Sequence, residues 1–357
     1  MNNLQPKPSS AAVSDFWKKK KIVSFLLSIM VCLIHISSFG QYSHIADNMS
    51  GVNEVLSKVI RDSFTRYAVP LFFIISGALF FRDYNDKKYL DKIKKRINTL
   101  LIPYLFWNVV WLLFDIATSY TFISNYFVGR EKFVLSFSSV LDAILHHKCN
   151  GVFWFVFDLM FFVLISPIID KLVHNRYIGI GVTVLLAVLC LFNLGLPVNV
   201  FTYPTSIVYY FIGAIIGKHF FDGFCKKTSL LAQIISLIIL LITAVVFYFA
   251  DLIDSNPYFT FLLVPCAWAF WNVADLFVYK LPSFSLFKNS FVIYAMHINV
   301  SAVITKLLYL VFPKCGWMAL PNFILTLVLT VSVIHLFCHI VNKISPNLYK
   351  IITGGRK

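Results

Sequence analysis

Residues 24–39 read SFLLSIMVCLIHISSF. Apart from its serines and one cysteine this stretch is apolar. It supplies most of the ~17–25 residues that a helix needs to cross a bilayer. His35 stands near its far end. An ionisable ring at membrane depth costs several kcal/mol unless it faces a cavity or a partner, so its presence asks for a chemical reason.

The rest of the chain has the same character. The 357 residues are 59% hydrophobic and only 13% charged, with a mean hydropathy of +0.78. A soluble domain of this size carries ~25% charged residues. These numbers predict an all-α polytopic membrane bundle. Ten candidate spans follow from the apolar runs: 22–40, 67–81, 100–120, 152–169, 177–196, 202–217, 230–249, 259–278, 291–312 and 320–340. The second and sixth are short, which suits tilted neighbours or a re-entrant segment. The longest polar stretches, 41–66 and 121–151, leave no soluble domain. The expected division is a basic N-terminus (1–21), one membrane domain (22–343) and a C-terminal tail (344–357).

The net charge of +15 suggests nucleic acid until its distribution is read. With the N-terminus in the cytoplasm and the spans alternating, cytoplasmic segments hold about three times as many Lys and Arg as outer ones, as the positive-inside rule requires. The charge is therefore a topology signal. It places both termini in the cytoplasm and excludes a nucleic-acid partner in favour of membrane lipids. The run Lys18–Lys21 before an apolar stretch imitates a signal peptide. The apolar run is too long for an h-region and lacks an A-x-A-like exit, so it is read as a retained first span. The seven cysteines are scattered, without a C-x-x-C pair. His146, His147 and Cys149 lack metal-site spacing, and no metal is expected.

Chemistry is then to be sought inside the membrane. Counting ~1.5 Å per residue from the span ends gives depths. His35, Asp158, Asp115 and Lys306 fall in an outer layer with Arg66 at its mouth, whereas His297 and His335 fall in an inner one. Snorkelling to the interface is a competing account of Arg66 and Lys306. Interhelical hydrogen bonding is the competing account of His297 and His335. The near-equal depth of His35 and Asp158 favours an oriented imidazole acting as general base.

The second informative stretch, residues 66–107, reads RYAVPLFFIISGALFFRDYNDKKYLDKIKKRINTLLIPYLFW. With it the chain resembles the acyltransferase-3 family of integral-membrane acyltransferases. The marks run in order: a basic N-terminus with His35 in the first span, VPLFFIISG (69–77), a basic loop ending in KKRINTLLIPYLFW (94–107), WFVFDLMFFVLISPII (154–169) and SFVIYAMH (290–297). Three positions depart from the family pattern. Ser24, Thr99 and Phe157 stand where the family has arginine.

The resemblance implies transfer of an acyl group, acetyl in the simplest case, from acyl-CoA to a hydroxyl of a bacterial surface glycan or lipid-linked saccharide. The expected location is the bacterial cytoplasmic membrane. It implies His35 as the base and Asp158 as its orienting partner. It implies acyl-CoA contacts from Lys92, Lys95, Arg96 and His297, with Arg66, Ser76 and Trp154 toward the acceptor or the developing oxyanion. Lysine meets phosphate as a point charge and not as a bidentate fork. Two rivals stand beside this reading. A secondary transporter or exporter of a glycan or small anionic solute also uses midplane ionisable groups, but it usually shows paired halves, which this sequence lacks. A non-catalytic membrane scaffold needs no aligned histidine and carboxylate.

Overall fold

A backbone amide in hydrocarbon has no water to bond, so an apolar run satisfies itself as a helix. In a computed structural model of the protein, every regular element among the described residues is helical. The structure describes residues 10–45, 48–122, 124, 131–192, 194, 203–250 and 257–355. Lys7, Arg130, Arg356 and Lys357 of the charge count, and the span positions 193, 195, 196 and 202, lie outside them.

The protein is a polytopic helical membrane protein. Each of the ten expected runs overlaps a helix, but they are not ten equal spans. Among the described residues five stretches are long and apolar enough to cross a bilayer: Ser14–Tyr42, Asp86–Tyr120, Leu230–Phe249, Ser285–Val311 and Gly316–Ile344. A sixth is reached if Gly151–Leu164 and Ser166–Val173 count as one broken span, bent by 68°. Ala68–Phe81, Arg176–Leu191 and Phe261–Leu276 are apolar but shorter. Hydropathy reports that a segment avoids water. It does not report whether lipid or protein surrounds it.

The Ala68–Phe81 helix shows why. Its 14 residues reach only ~21 Å, short of the ~30 Å hydrocarbon core. It is buried on nearly all sides, including Leu71, Phe73, Ile74, Ala78 and Phe81, so protein replaces lipid around it. Its chief neighbour is the Ser206–Ile215 helix, and glycines set their separation. A Cβ on Gly213 would lie 2.3 Å from the Ile74 carbonyl oxygen, and one on Gly77 2.6 Å from that of Tyr210. Small residues let membrane helices approach until their backbones touch.

The 68° bend follows from Pro167. Proline has no N–H to give to the preceding turn. The helix breaks at Ile165, and Ile168 N–H bonds back to Ile165 O at 3.0 Å. The Leu164 carbonyl, left over by that switch, accepts the Tyr89 hydroxyl at 3.0 Å. The break is thus tied to the basic helix Tyr89–Arg96.

The first and last described helices belong to the packed body. The first helix runs without interruption from Ser10 to His35, across the expected boundary at 21/22. Its Phe16 and Lys19 are fully buried. The Pro346–Thr353 helix docks under the bundle, where Ile352 O accepts from Trp107 Nε1 at 3.1 Å and Tyr349 O–H donates to Asn289 Oδ1 at 2.9 Å.

Candidate active site

The first helix ends at His35, which leaves the last carbonyls of the helix without intrahelical donors. Arg61, from the π-helical turn Lys58–Ser63, folds back over this end and donates Nε–H to Ile34 O at 3.1 Å. A cation at a helix C-terminus also complements the helix dipole. Arg61 and Arg66 are the charged neighbours of His35. The His35 side chain is exposed within this arrangement.

The ring beside His35 is His297, with centroids 5.3 Å apart and planes inclined by 43°. His297 is completely buried. Its Nδ1 lies 2.8 Å from Tyr294 O and 3.2 Å from Ile293 O. A carbonyl only accepts, so Nδ1 carries the proton in the neutral ring and Nε2 holds the lone pair. That Nε2 is buried and has no hydrogen-bond partner among the described residues. The same turn of the helix is fixed from outside, because Ala295 O accepts from Trp111 Nε1 at 2.9 Å and from Asn150 Nδ2 at 3.3 Å. Tyr294 O–H donates to Val152 O. The result is a rigid buried imidazole with an uncommitted lone pair, next to an exposed one.

This pairing corrects the layering expected from residue counting. His297 does not share an inner layer with His335. It stands against His35, while His335 Nδ1 pairs with Asn289 Nδ2 at 2.8 Å near the start of the His297 helix. Counting failed because the 29-residue Ser14–Tyr42 and 27-residue Ser285–Val311 stretches both exceed a bilayer's thickness. Long helices tilt and stagger, so their ends are not a common zero of depth.

The other expected residues form two further groups. Asp158 is fully buried and its Oδ2 accepts from Ser206 Oγ at 2.9 Å, joining the broken helix to the Ser206–Ile215 helix. Trp154, one turn earlier, packs on Tyr203 with centroids 4.6 Å apart and on Phe73 at 6.1 Å. Ser76 is half-buried beside Gly77 on the central helix. Toward the basic loop, Lys92 donates to Phe80 O and lies 4.9 Å above the Phe80 ring, with Arg96 over the same ring at 5.6 Å. Lys95, on the same helix, is exposed. Lys92 and Arg96 are held together at the end of the central helix.

His146 and His147 look elsewhere. His146 Nδ1 meets Asp142 Oδ1 at 3.1 Å and His147 Nδ1 meets the Tyr104 hydroxyl at 3.3 Å. Among the described residues no three His, Cys, Asp or Glu side chains gather as a metal site.

The matched family is described as an acyltransferase domain, and it covers residues 25–339. The chain belongs to the acyltransferase-3 family. Both facing histidines lie within the matched residues. Over 200 residues the chain is 28% identical to the succinoglycan biosynthesis protein ExoH of Rhizobium meliloti, covering 54% of the chain and 52% of that protein. The chain thus spans about half the length of the curated relative it matches. No solved structure matches it.

Sequence reasoning missed Arg61, which lies in a polar stretch with no motif to single it out. It also missed the two-histidine contact, although both partners were candidates. SFVIYAMH ends in His297, and the family resemblance named both positions without pairing them.

Proposed function

We propose that this protein moves an acyl group, acetyl in the simplest case, from acyl-CoA to a hydroxyl of a bacterial surface glycan or lipid-linked saccharide. One observation carries the choice of base: His35 is exposed at the end of its helix against a buried imidazole whose Nε2 is uncommitted. In this reading His35 takes the proton of the acceptor hydroxyl. The oxygen attacks the thioester carbonyl, the C–S bond breaks, and the CoA sulfur leaves and takes up a proton as the ester forms. A positioned general base is worth ~10²–10⁴-fold. Arg61 and Arg66 supply positive charge where the carbonyl oxygen becomes an anion. His297 is a positioning residue that packs against the His35 ring and limits its orientation, in place of the acyl-CoA contact expected from the sequence. Asp158 acts at a distance by fixing Ser206, and Ser76 and Trp154 stand toward the acceptor. Lys92, Lys95 and Arg96 meet the phosphates of acyl-CoA from the cytoplasm. The topology that suits this has both termini inside, in the bacterial cytoplasmic membrane. The sugar acceptor draws support from the similarity to the Rhizobium succinoglycan biosynthesis protein.

The test is transfer of radiolabelled acetyl from acetyl-CoA to extracted glycan by purified protein, measured per mole of folded enzyme. Wild type should label the glycan, and His35→Ala should lose ~10²-fold or more. A transporter or scaffold gives no label with either protein. His35→Ala with wild-type specific activity overturns the assignment of the base.

A further inference from the structure

Beyond His35 the chain carries a strip of exposed residues that the acyl-transfer step does not use. The stretch Ser14–Tyr42 continues past His35 through the short helix Ser38–Tyr42. At ~1.5 Å per residue this takes the chain ~10 Å from His35 to Tyr42. Ser37, Gly40, Ser43 and His44 are all exposed along it. Nothing lies within 4 Å of the place a Cβ on Gly40 would occupy, so the backbone there is open to an approaching molecule.

Rings gather where the strip ends. His44 Nε2 meets the Tyr309 hydroxyl at 3.2 Å, and the Tyr309 ring packs against Tyr42 with centroids 5.0 Å apart. Lys314 donates to Tyr309 O and lies 3.4 Å from the centroid of the same ring, which holds it from one side. Trp317, in the turn Gly316–Met318, is 66% exposed. Two amide oxygens in this region, Gln41 Oε1 and Asn53 Oδ1, are buried with no hydrogen-bond partner among the described residues. The Asn53 amide is held at its other end, because Nδ2 donates to Gly316 O at 3.0 Å, next to Trp317. The helix of Gln41 packs on the helix Ser50–Ser57 that carries Asn53.

An amide oxygen withdrawn from water costs free energy until a donor meets it. Sugar hydroxyls are such donors, and the apolar face of a sugar ring suits the large rigid face of an indole. Anchoring at the membrane–water interface accounts for Trp317 alone. It gives no role to the two amide oxygens beside it.

We propose that this cluster is a saccharide subsite, in which Gln41 and Asn53 accept from sugar hydroxyls, Trp317 stacks on a sugar ring, and the open strip at Gly40 leads the sugar chain to His35. It rests on the acyl-transfer reading for the identity of the sugar chain as the acceptor. The site itself is read by binding, without turnover.

The experiment uses full-length protein in phosphatidylcholine nanodiscs. Oligosaccharides released from the extracted cell-surface glycan are titrated by calorimetry. The same preparations are assayed for acetyl transfer at varied glycan and at varied acetyl-CoA. Gln41→Met removes one amide oxygen at nearly constant length. It should weaken oligosaccharide binding, and raise the KM for glycan, by about five-fold, the loss expected for one hydrogen bond. The KM for acetyl-CoA should stay as it is. The melting temperature should not fall, because the oxygen removed has no partner among the described residues. A purely structural glutamine predicts a lower melting temperature with both KM values unmoved. Should that variant fail to fold, Gly40→Leu obstructs the same strip from a position with open space around it and is read in the same way. Undiminished oligosaccharide binding by the folded variant, or none by the parent, overturns the subsite. A parent that binds the oligosaccharide and transfers no acetyl group to it keeps the subsite and sinks the acyl-transfer reading instead.

Discussion

The two ends of the first helix place polar groups inside the same bundle and treat them oppositely. At its N-terminal end, the inner one in the proposed topology, Lys19 and Asp275, 2% and 0% exposed, form an ion pair at 2.7 Å. Asp275 also accepts from Thr228 N–H and Oγ1–H at 2.9 Å and from Tyr279 O–H at 3.1 Å, and Lys19 lies 4.2 Å from the centroid of the Trp271 ring. At the outer end His297 Nε2 has no bonding partner among the described residues, and His35 is exposed beside it. A buried charge is tolerable only when its bonds are satisfied. The difference lies in what each buried group meets: Lys19 faces its counter-ion, whereas the His297 imidazole faces a second, exposed imidazole.

The sharpest way to break this comparison is to cut the inner pair. Lys19→Met leaves Asp275 buried and unpaired, at an expected cost of about 3–5 kcal/mol. The yield and melting temperature of purified protein should fall, with turnover per folded molecule unchanged. Lys19→Met with Asp275→Leu removes both charges and should recover most of that loss, because apolar groups of similar size often replace a buried pair without cost. A drop in turnover per folded molecule would move the inner pair from structure to chemistry.

The second test is at the outer end. His297→Ala should lower acyl transfer about ten-fold or more, less than His35→Ala does. Residues that act as one unit are non-additive, so the double variant should be little worse than His35→Ala alone. Multiplying losses in the four-variant kinetic cycle would show two independent roles.

The third test separates packing from both ends. Gly213→Ala drives a Cβ to 2.3 Å from the Ile74 carbonyl, which is backbone and cannot swing aside. Overpacking of this kind costs about 1–3 kcal/mol. Thermal melting of the detergent-purified protein should show it, with the two-histidine site still active. An unchanged melting temperature would mean that the two helices separate more easily than their contact suggests.

The smallest perturbation asks which side each end faces. Single cysteines at Asn85 and Ser136, in a background with the native cysteines replaced, should label oppositely in intact cells, Ser136 from outside and Asn85 only after permeabilisation. The reverse pattern would exchange the inner and outer ends named here.

Much of this was legible in the chain. Hydropathy located the helices, although among the described residues five reach spanning length, or six with the broken one, against ten apolar runs in the sequence. The excess is physical. The Ala68–Phe81 helix is as apolar as a span because it lies inside other helices, and a one-dimensional profile cannot tell protein surroundings from lipid. His35 was conspicuous because an imidazole in an apolar run is costly wherever it sits. Lys19 was not, because within Lys18–Lys21 it looked like one more topology charge. It is the one turned inward onto Asp275.

By itself, then, the sequence determined what each segment avoids: water for the apolar runs, and hydrocarbon for Lys18–Lys21 and the 82–96 loop. With the motifs at His35 and SFVIYAMH, it also determined the family. Only the tertiary structure decided who meets whom. His35 against His297, Asp158 with Ser206, and Lys19 on Asp275 are relations between helices far apart in the chain. The tilt and stagger of those helices come from side-chain packing, such as the contact at Gly77 and Gly213, and from the proline break at Ile165. Avoidance of water is a property of each residue and can be read locally. A contact depends on the positions of two helices at once, and packing fixes those only when the whole bundle has assembled.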